Sequence, residues 1–246
     1  MRKKLFVTAL LMVFSLGVYA QFVNTSSSKS NLNTDDTWFS FKASYNPITF
    51  DVNGNWEYVF GDELSDFNGF SGEFLVGFNV ANGVPVFIET GAGFLYASNK
   101  YSDSYTDDYY EIEVSLDLKT KITSIYVPVN IAYEFSVSDN MSVIPYAGLK
   151  ARFNLSGAQD VTMRIRDTYS GYSETDHDSI DMFYKREMNN FWGLSDEAKR
   201  FQLGWQVGAN VDLSGVLIGI SYGADMGEFL KDCKFKTTSL SLGFRF

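Results

Sequence analysis

Large apolar residues alternate with small or polar ones in eight separate stretches of this chain, and a period of two residues is typical of β-strands. In the final stretch, SLSLGFRF, the apolar positions are Leu240, Leu242, Phe244 and Phe246. The other stretches lie near 37–47, 69–80, 85–97, up to 136, 141–155, 201–213 and 216–226. Helical periods are nearly absent and none of the eight apolar sets contains a charge, so the sequence predicts an all-β, antiparallel fold.

Alternation alone does not say which way the apolar side chains point. A lipocalin-like barrel directs them inward around a ligand. An eight-stranded barrel, however, has an interior only just wide enough for side chains, so roughly forty large apolar residues could not fit inside it. We therefore expect the apolar sets to face lipid, which requires a closed sheet because unpaired backbone groups are not tolerated in a bilayer. The prediction is an eight-stranded, up-and-down transmembrane β-barrel over residues 37–246.

The positions between the apolar ones hold small residues and nearly balanced charge. Their charged members are five acids and four bases: Lys42, Glu73, Glu89, Glu134, Lys150, Arg152, Asp212, Asp225 and Arg245. Buried charges must be paired, so seven of them are predicted to form a polar network in the lumen: Lys42, Glu73, Glu89, Glu134, Lys150, Arg152 and Arg245. The alternative is a selectivity lining, although a continuous aqueous pore usually needs more strands.

Connections between the stretches alternate in length. Short ones contain ANGV, VSDN and Ser214-Gly215, and long ones span about 48–69, 98–120, 156–200 and 227–236. Outer-membrane barrels have short periplasmic turns and long extracellular loops, so both ends of the barrel segment are predicted to be periplasmic. Aromatic girdles are predicted at Phe78, Tyr133, Phe135 and Phe246 on one rim and at Tyr96, Phe153 and Phe201 on the other. Pro128 and Pro145 each remove a ladder donor, so we expect a bulge or kink in their hairpin.

The first twenty residues have the pattern of a secretory signal peptide. Arg2, Lys3 and Lys4 precede an apolar run, and Val18-Tyr19-Ala20 supplies the small residues of a cleavage site before Gln21. The alternative is an N-terminal membrane anchor, for which the run is short. Residues 1–20 are therefore assigned to a signal peptide and the polar residues 21–36 to a flexible periplasmic leader.

Charge and cysteine content exclude several functions. Without residues 1–20 the chain has 17 Lys+Arg against 30 Asp+Glu, a net charge of −13. This charge argues against nucleic acid and against polybasic attraction to anionic lipid. Cys233 is the single cysteine, so no intrachain disulfide can form, and no cofactor motif is found.

Several motifs resemble those of the small outer-membrane β-barrel proteins of the Bacteroidetes, the outer membrane protein β-barrel domain family of OmpA- and OmpW-like barrels. They are the hairpin YVPVNIAYEF and VIPYAGLKARF, the strands FQLGWQVGANVDL and GISYGADMG, and the terminal LSLGFRF. The resemblance implies the outer membrane of a Gram-negative bacterium, with outer-membrane lipid and the outer-membrane assembly machinery as partners. It also implies that Leu242, Phe244 and Phe246 form the assembly signal. The family has no single activity.

Catalytic and metal sites are both weakly indicated. Some eight-stranded outer-membrane barrels are similar to hydrolases that use a Ser with a His, but His177 is the single histidine and lies in a long loop. A lone loop histidine is usually solvated, so no enzymatic activity is expected. Two carboxylate clusters lack the spacing of a calcium loop and are expected to be solvated acidic loops: Asp103, Asp107 and Asp108, and Asp176, Asp178 and Asp181.

Two long loops are rich in aromatic residues. YSDSYTDDYY packs four tyrosines among acids, and FYKREMNNFWGL places Phe183, Tyr184, Phe191 and Trp192 beside Lys185 and Arg186. Such loops bind partners, or else their aromatics pack on one another. The favoured hypothesis is a sealed, non-enzymatic barrel that displays acidic aromatic loops to an extracellular partner. The alternative is a small channel or an OmpW-type conduit for hydrophobic solutes.

Overall fold

The computed structural model describes residues 37–52, 66–80, 84–107, 109–193 and 195–246, which form ten strands and one short helix. The predicted signal peptide and leader lie outside the described residues. The strands are β1 (Trp38–Val52), β2 (Asp66–Asn79), β3 (Val86–Asp107), β4 (Ile112–Tyr133), β5 (Phe135–Ser138), β6 (Met141–Asp167), β7 (Ser173–Asp181), β8 (Phe201–Leu213), β9 (Val216–Asp225) and β10 (Cys233–Arg245). The helix, α1, is Lys185–Trp192.

Eight of these strands form a closed antiparallel ring in the order β1-β2-β3-β4-β6-β8-β9-β10. The end of the chain closes it, because Phe39 and Phe246 exchange two backbone hydrogen bonds of 2.9 Å. The predicted Ser214-Gly215 turn joins β8 to β9 with positive φ at both residues, 54° and 95°, as a two-residue hairpin requires. The eight-stranded up-and-down order is confirmed, while β5 and β7 pair only with β6, outside the ring.

The side chains of the ring are arranged inside out relative to a water-soluble protein. On β4, Ile131 points outward and is 65 % exposed, whereas its neighbour Asn130 points inward and is 1 % exposed. Around the ring, apolar side chains likewise point outward and small or polar ones inward. The predicted girdle aromatics are all on the outward side. The prediction that the apolar sets point outward is therefore confirmed. Among the described residues, no helix is long and apolar enough to cross a membrane.

Three ring strands extend beyond the ring. Together with β7 they form a four-stranded sheet, which we call the outer sheet. It comprises residues 98–107 of β3, 112–123 of β4, 156–167 of β6 and β7. The predicted loop at 98–120 is therefore mostly a hairpin, and the predicted loop at 156–200 contains the β6–β7 hairpin and α1. The helix α1 was not predicted from the sequence. Its N-cap, Tyr184, makes no side-chain capping hydrogen bond, and its C-cap, Gly193, is in the left-handed conformation (φ 67°).

A β-bulge separates the ring from the outer sheet. Thr123 pairs with Ser156 and Ser124 with Asn154, so Leu155 is an extra residue on β6. A bulge shifts which side chains face each way, and after Leu155 the odd-numbered residues of β6 point inward instead of the even-numbered ones. The inward odd-numbered positions of the outer sheet include Val161, which is buried.

The bulge expected in this hairpin is therefore present, and it lies at Leu155, away from both prolines. Pro128 pairs in register with Lys150, and its missing N–H falls at a gap in the β3–β4 ladder between the Thr90–Val129 and Gly93–Tyr126 pairs. Pro145 lies where β6 leaves β4 and begins to pair with β5. Both prolines therefore occupy positions where a ladder donor is not needed.

Deleting Leu155 tests the role of the bulge. The deletion would turn Val161 and the other apolar residues of β6 to the solvated face, and exposing Val161 alone would cost about 1.5–3 kcal/mol. We expect the outer sheet to become sensitive to protease while the ring stays folded, as measured by limited proteolysis and a heat-dependent gel shift. Leu155→Ala, which keeps the residue count, is the matched control and should resist protease like the wild type. Equal resistance of the two variants would contradict this role.

Candidate functional site

The interior of the ring is the candidate site, because most of the predicted polar residues lie there. At the end with the short turns, Arg245 donates from Nη2 to Glu134 Oε2 at 2.8 Å and from Nη1 to Asp212 Oδ2 at 3.4 Å. Its guanidinium lies 4.6 Å from the ring centre of Trp38, which packs edge-on against Phe87. One cation is thus held by two carboxylates and an aromatic face, and it fills this end of the interior.

The middle of the interior holds a second ion pair. Lys42 Nζ lies 2.7 Å from Glu73 Oε1, and both groups are shielded from solvent. The Tyr126 hydroxyl donates to Glu73 Oε2 at 3.2 Å, and the lysine ammonium lies 5.4 Å from the ring centre of Tyr146. Tyr126 has room because its strand neighbour is Gly93, where a Cβ would lie 2.2 Å from the tyrosine ring.

Two further predicted residues in the middle have neutral partners. Glu89 is fully buried and accepts a hydrogen bond from Asn130 Nδ2 at 3.4 Å, and Asn130 accepts one from Gln206 at 2.7 Å. Lys150 has no ion pair within the described part of the chain, and its ammonium lies 5.4 Å from the ring centre of Tyr126. Lys150 faces a small polar cavity of about 30 Å³, lined mostly by hydroxyl-bearing side chains.

The third ion pair lies nearest the outer sheet. Arg152 Nη2 donates to Asp225 Oδ2 at 2.5 Å, both groups are buried, and the guanidinium lies 4.3 Å from the ring centre of Phe235. Asp225 and Asp212 are among the predicted inward charges, but the predicted network does not include them. Alternation with apolar residues identifies both carboxylates as inward-facing. Which cation each of them pairs with depends on contacts across the ring, and a local sequence pattern does not contain these.

An apolar cluster, which we call the mouth cluster, closes the ring above this ion pair. It combines buried residues of the strands with residues from the long connections: Ile48, Phe67, Leu95, Ala97, Leu118, Ile122, Tyr126, Val161, Ile180, Met182, Met188, Ala198, Phe229 and Phe235. Met188 comes from α1, and Phe183 and Trp192 pack against the cluster, with Trp192 Nε1 donating to Gln159 at 2.8 Å. Part of the aromatic-rich loop is therefore self-packed, while Tyr184 and Phe191 stay exposed.

The remaining predicted residues lie outside the interior. Leu242, Phe244 and Phe246 point outward from β10, and Phe246 stacks on Phe39 with ring centres 6.3 Å apart. His177 lies on the exposed face of β7, where its Nδ1 and Thr162 Oγ1 are 2.9 Å apart. The predicted carboxylate clusters are spread along β3 and β7, Asp108 lies outside the described residues, and no metal-binding group of three ligands is found within the described ranges.

Three solved structures illustrate what this chain is similar to. Ail, the attachment invasion locus protein of Yersinia pestis, crystallised with the heparin analogue sucrose octasulfate, is 16 % identical over 86 % of this chain and 99 % of its own, with a TM-score of 0.36. Neisserial surface protein A is 13 % identical over 85 % and 95 %, with a TM-score of 0.36. A major outer membrane protein of Thermus thermophilus is 12 % identical over 86 % and 100 %, with a TM-score of 0.38.

These values do not transfer a ligand or an activity to this chain. Among curated protein sequences, none matches it at a significant level. The model of the outer membrane protein beta-barrel domain, however, matches residues 6–246, almost the whole chain. By its sequence, and with a closed ring of eight antiparallel strands, this chain belongs to the outer membrane protein beta-barrel domain family.

Proposed function

We propose that this chain is a non-enzymatic integral protein of the outer membrane, in which a sealed barrel carries an acidic, aromatic outer sheet on the extracellular side. The observation that carries the proposal is the inside-out ring, with apolar side chains outside and ion pairs inside. An outward apolar surface of this extent is stable only in an apolar solvent. The short turns, and both ends of the chain segment that forms the ring, would then face the periplasm.

The height of the outward apolar band supports this placement. On β4 the outward residues are apolar from Tyr133 to Ile125 and become polar at Thr123, Lys121 and Lys119. The apolar segment 125–133 is nine residues long, and a tilted transmembrane β-strand needs about 9–11 residues to cross the bilayer core. The outer sheet would accordingly lie in water.

The filled interior supports a scaffold rather than a conduit. Three ion-paired groups lie at successive heights in the ring, and the mouth cluster lies above them. A channel requires a continuous aqueous path, and an OmpW-type conduit requires a mouth open to hydrophobic solutes. Met188 and Phe229 occupy that mouth, so the transport alternative would need the mouth cluster to be displaced.

Charge on the outward face tests membrane placement. Val129→Lys places an ammonium near the middle of the apolar band and should destabilise the protein by about 2–4 kcal/mol in lipid vesicles, as measured by urea unfolding. Ser115→Lys puts the same side chain on the solvated face of β4 beyond the band and is the matched control. We expect it to leave the free energy of unfolding nearly unchanged. Equal effects of the two substitutions would rule out the placement of the band in lipid.

Single-channel recording tests whether the interior is sealed. The refolded protein, with folding shown by a heat-dependent gel shift, should give no current steps in a planar bilayer because the ion pairs and the mouth cluster fill the ring. Discrete, salt-dependent steps from folded protein would refute the sealed scaffold and favour the channel alternative.

Removing one member of an interior ion pair separates a structural network from a pore lining. Arg152→Ala leaves Asp225 buried without its cation and should lower the free energy of unfolding by about 3–5 kcal/mol. The double variant with Asp225→Ala should regain part of this loss, and Lys150→Ala, which removes an interior cation without an ion pair, should lose less. A stable Arg152→Ala protein with altered conductance would instead indicate a selectivity lining.

A further inference from the structure

The two faces of the outer sheet differ sharply in charge. Residues directly opposite each other in an antiparallel pair point to the same face, and the register assigns every described residue of the outer sheet to one face or the other. The face continuous with the outside of the ring, the outer face, carries five bases and four acids: Lys100, Lys119, Lys121, Arg164, Arg166, Glu113, Asp117, Asp160 and Asp181. The face that continues the interior, the inner face, carries six acids and no base: Asp103, Asp107, Asp167, Glu174, Asp176 and Asp178.

Acids on the outer face are largely neutralised by their neighbours. Lys121 lies 2.5 Å from Asp160, Lys100 lies 3.7 Å from Asp117, and Arg166 lies 3.9 Å from Glu113. Hydrogen bonds from Lys121 and then from Ser179 hold the pKa of Asp160 below its usual value. Within the described ranges, by contrast, no ion pair involves an acid of the inner face. The inner face therefore keeps its negative charge.

Apolar side chains occupy the middle of the inner face. They come from the two central strands and form a stripe of Ile112, Val114, Leu116, Met163 and Ile165, continuous with buried Leu118 and Val161 below. The upper part of the stripe is open: Met163 is 43 % exposed, Ile165 is 44 % exposed, and Tyr105 beside it is 65 % exposed. The acids stand on the flanking strands β3 and β7 and at the tip, so an apolar stripe is bordered by negative charge on both sides.

We propose that this acid-flanked stripe binds a cationic amphipathic polypeptide segment, with apolar side chains on Met163 and Ile165 and basic side chains beside the acids of β3 and β7. The dimensions fit a helix. β3 and β7 are three strand spacings apart, about 14 Å, and a helix with its side chains is about 10–12 Å wide. Lysine and arginine side chains extend beyond the apolar face of such a helix and would reach the acidic edges.

An exposed apolar surface could also bind lipid or a second copy of this chain. Charge complementarity favours the cationic segment over both. Anionic lipid headgroups would be repelled by Glu174, Asp176 and Asp178. A second copy of this chain would bring the same uncompensated acids. The proposal rests on the proposed function only in that the outer sheet lies in water, beyond the membrane.

The test uses the full chain refolded into nanodiscs of zwitterionic phosphatidylcholine, in EDTA, with empty nanodiscs as the blank. The probe is a fluorescent peptide of about 14 residues, which is about 21 Å long as a helix, with Leu at helical spacing and Lys on both sides of the Leu stripe. A companion peptide has Glu in place of every Lys. We expect saturable, salt-sensitive binding of the Lys peptide above the blank and no binding of the Glu peptide. Binding of both peptides, or of neither, would overturn the proposal.

Paired variants locate the binding face. Glu174→Gln with Asp176→Asn should weaken binding of the Lys peptide about fivefold, the effect of losing two exposed ion pairs. Glu113→Gln with Asp117→Asn removes the same charge from the outer face and should not weaken it. Met163→Ser with Ile165→Ser should weaken binding at least as much as the inner-face acid pair, because apolar contact is lost. Equal effects of the two acid pairs would show nonspecific attraction and would also overturn the proposal.

Failure of the binding face and failure of the membrane placement give different results. If the chain does not insert into nanodiscs, membrane placement fails, and the same titration is then made on protein folded in an amphiphilic polymer. If the chain inserts and the Lys peptide does not bind, the binding face fails and the sealed barrel stands. Folding of each variant is checked by the heat-dependent gel shift.

Discussion

A closed ring of eight strands has an interior that side chains nearly fill, and the rest of this structure depends on that narrowness. Such an interior cannot hold a large aromatic on every inward position. Glycines and small polar residues occupy many of these positions, and a few long charged side chains cross the remaining space. The large apolar residues are then on the outside of the ring.

The same narrowness explains the form of the charged network. Each interior cation contacts a carboxylate, an aromatic face, or both, as Arg245 does with Glu134 and Trp38. Pairing is necessary because an isolated buried charge is strongly destabilising. Arg152 and Lys150 project from β6 and Lys42 from β1, and the carboxylates that pair with Arg152 and Lys42 come from β9 and β2. Removing Glu73 or Asp225 therefore leaves a buried cation without its ion-pair partner.

The outward apolar band of the ring and the outer sheet meet on β6 at a single extra residue, Leu155. From Ala147 to Leu155 the apolar side chains of β6 point outward, and after Leu155 they point inward, where Val161 joins the mouth cluster. On β4 the same change takes place without a bulge, because the sequence itself moves its apolar residues from odd to even positions near Thr123. Above this level the outer face carries ion pairs that suit water, while the inner face keeps an apolar stripe that the mouth cluster covers only in part.

Much of the ring could be predicted from the sequence, because alternation and turn length are local properties. Eight amphipathic stretches, with more apolar residues than the interior could hold, determined the number of strands in the ring and the outward direction of residues such as Ile131. The inward charges were identified for the same reason. The tertiary structure decided which charges meet: Arg152 pairs with Asp225 rather than with a member of the predicted network, and Lys150 has no ion pair within the described residues. It also decided that β3, β4 and β6 extend far beyond the ring, that the bulge of the β4–β6 hairpin lies at Leu155, and that α1 helps to close the mouth. These features depend on contacts between residues far apart in the chain, and a pattern with a period of two contains no information about them.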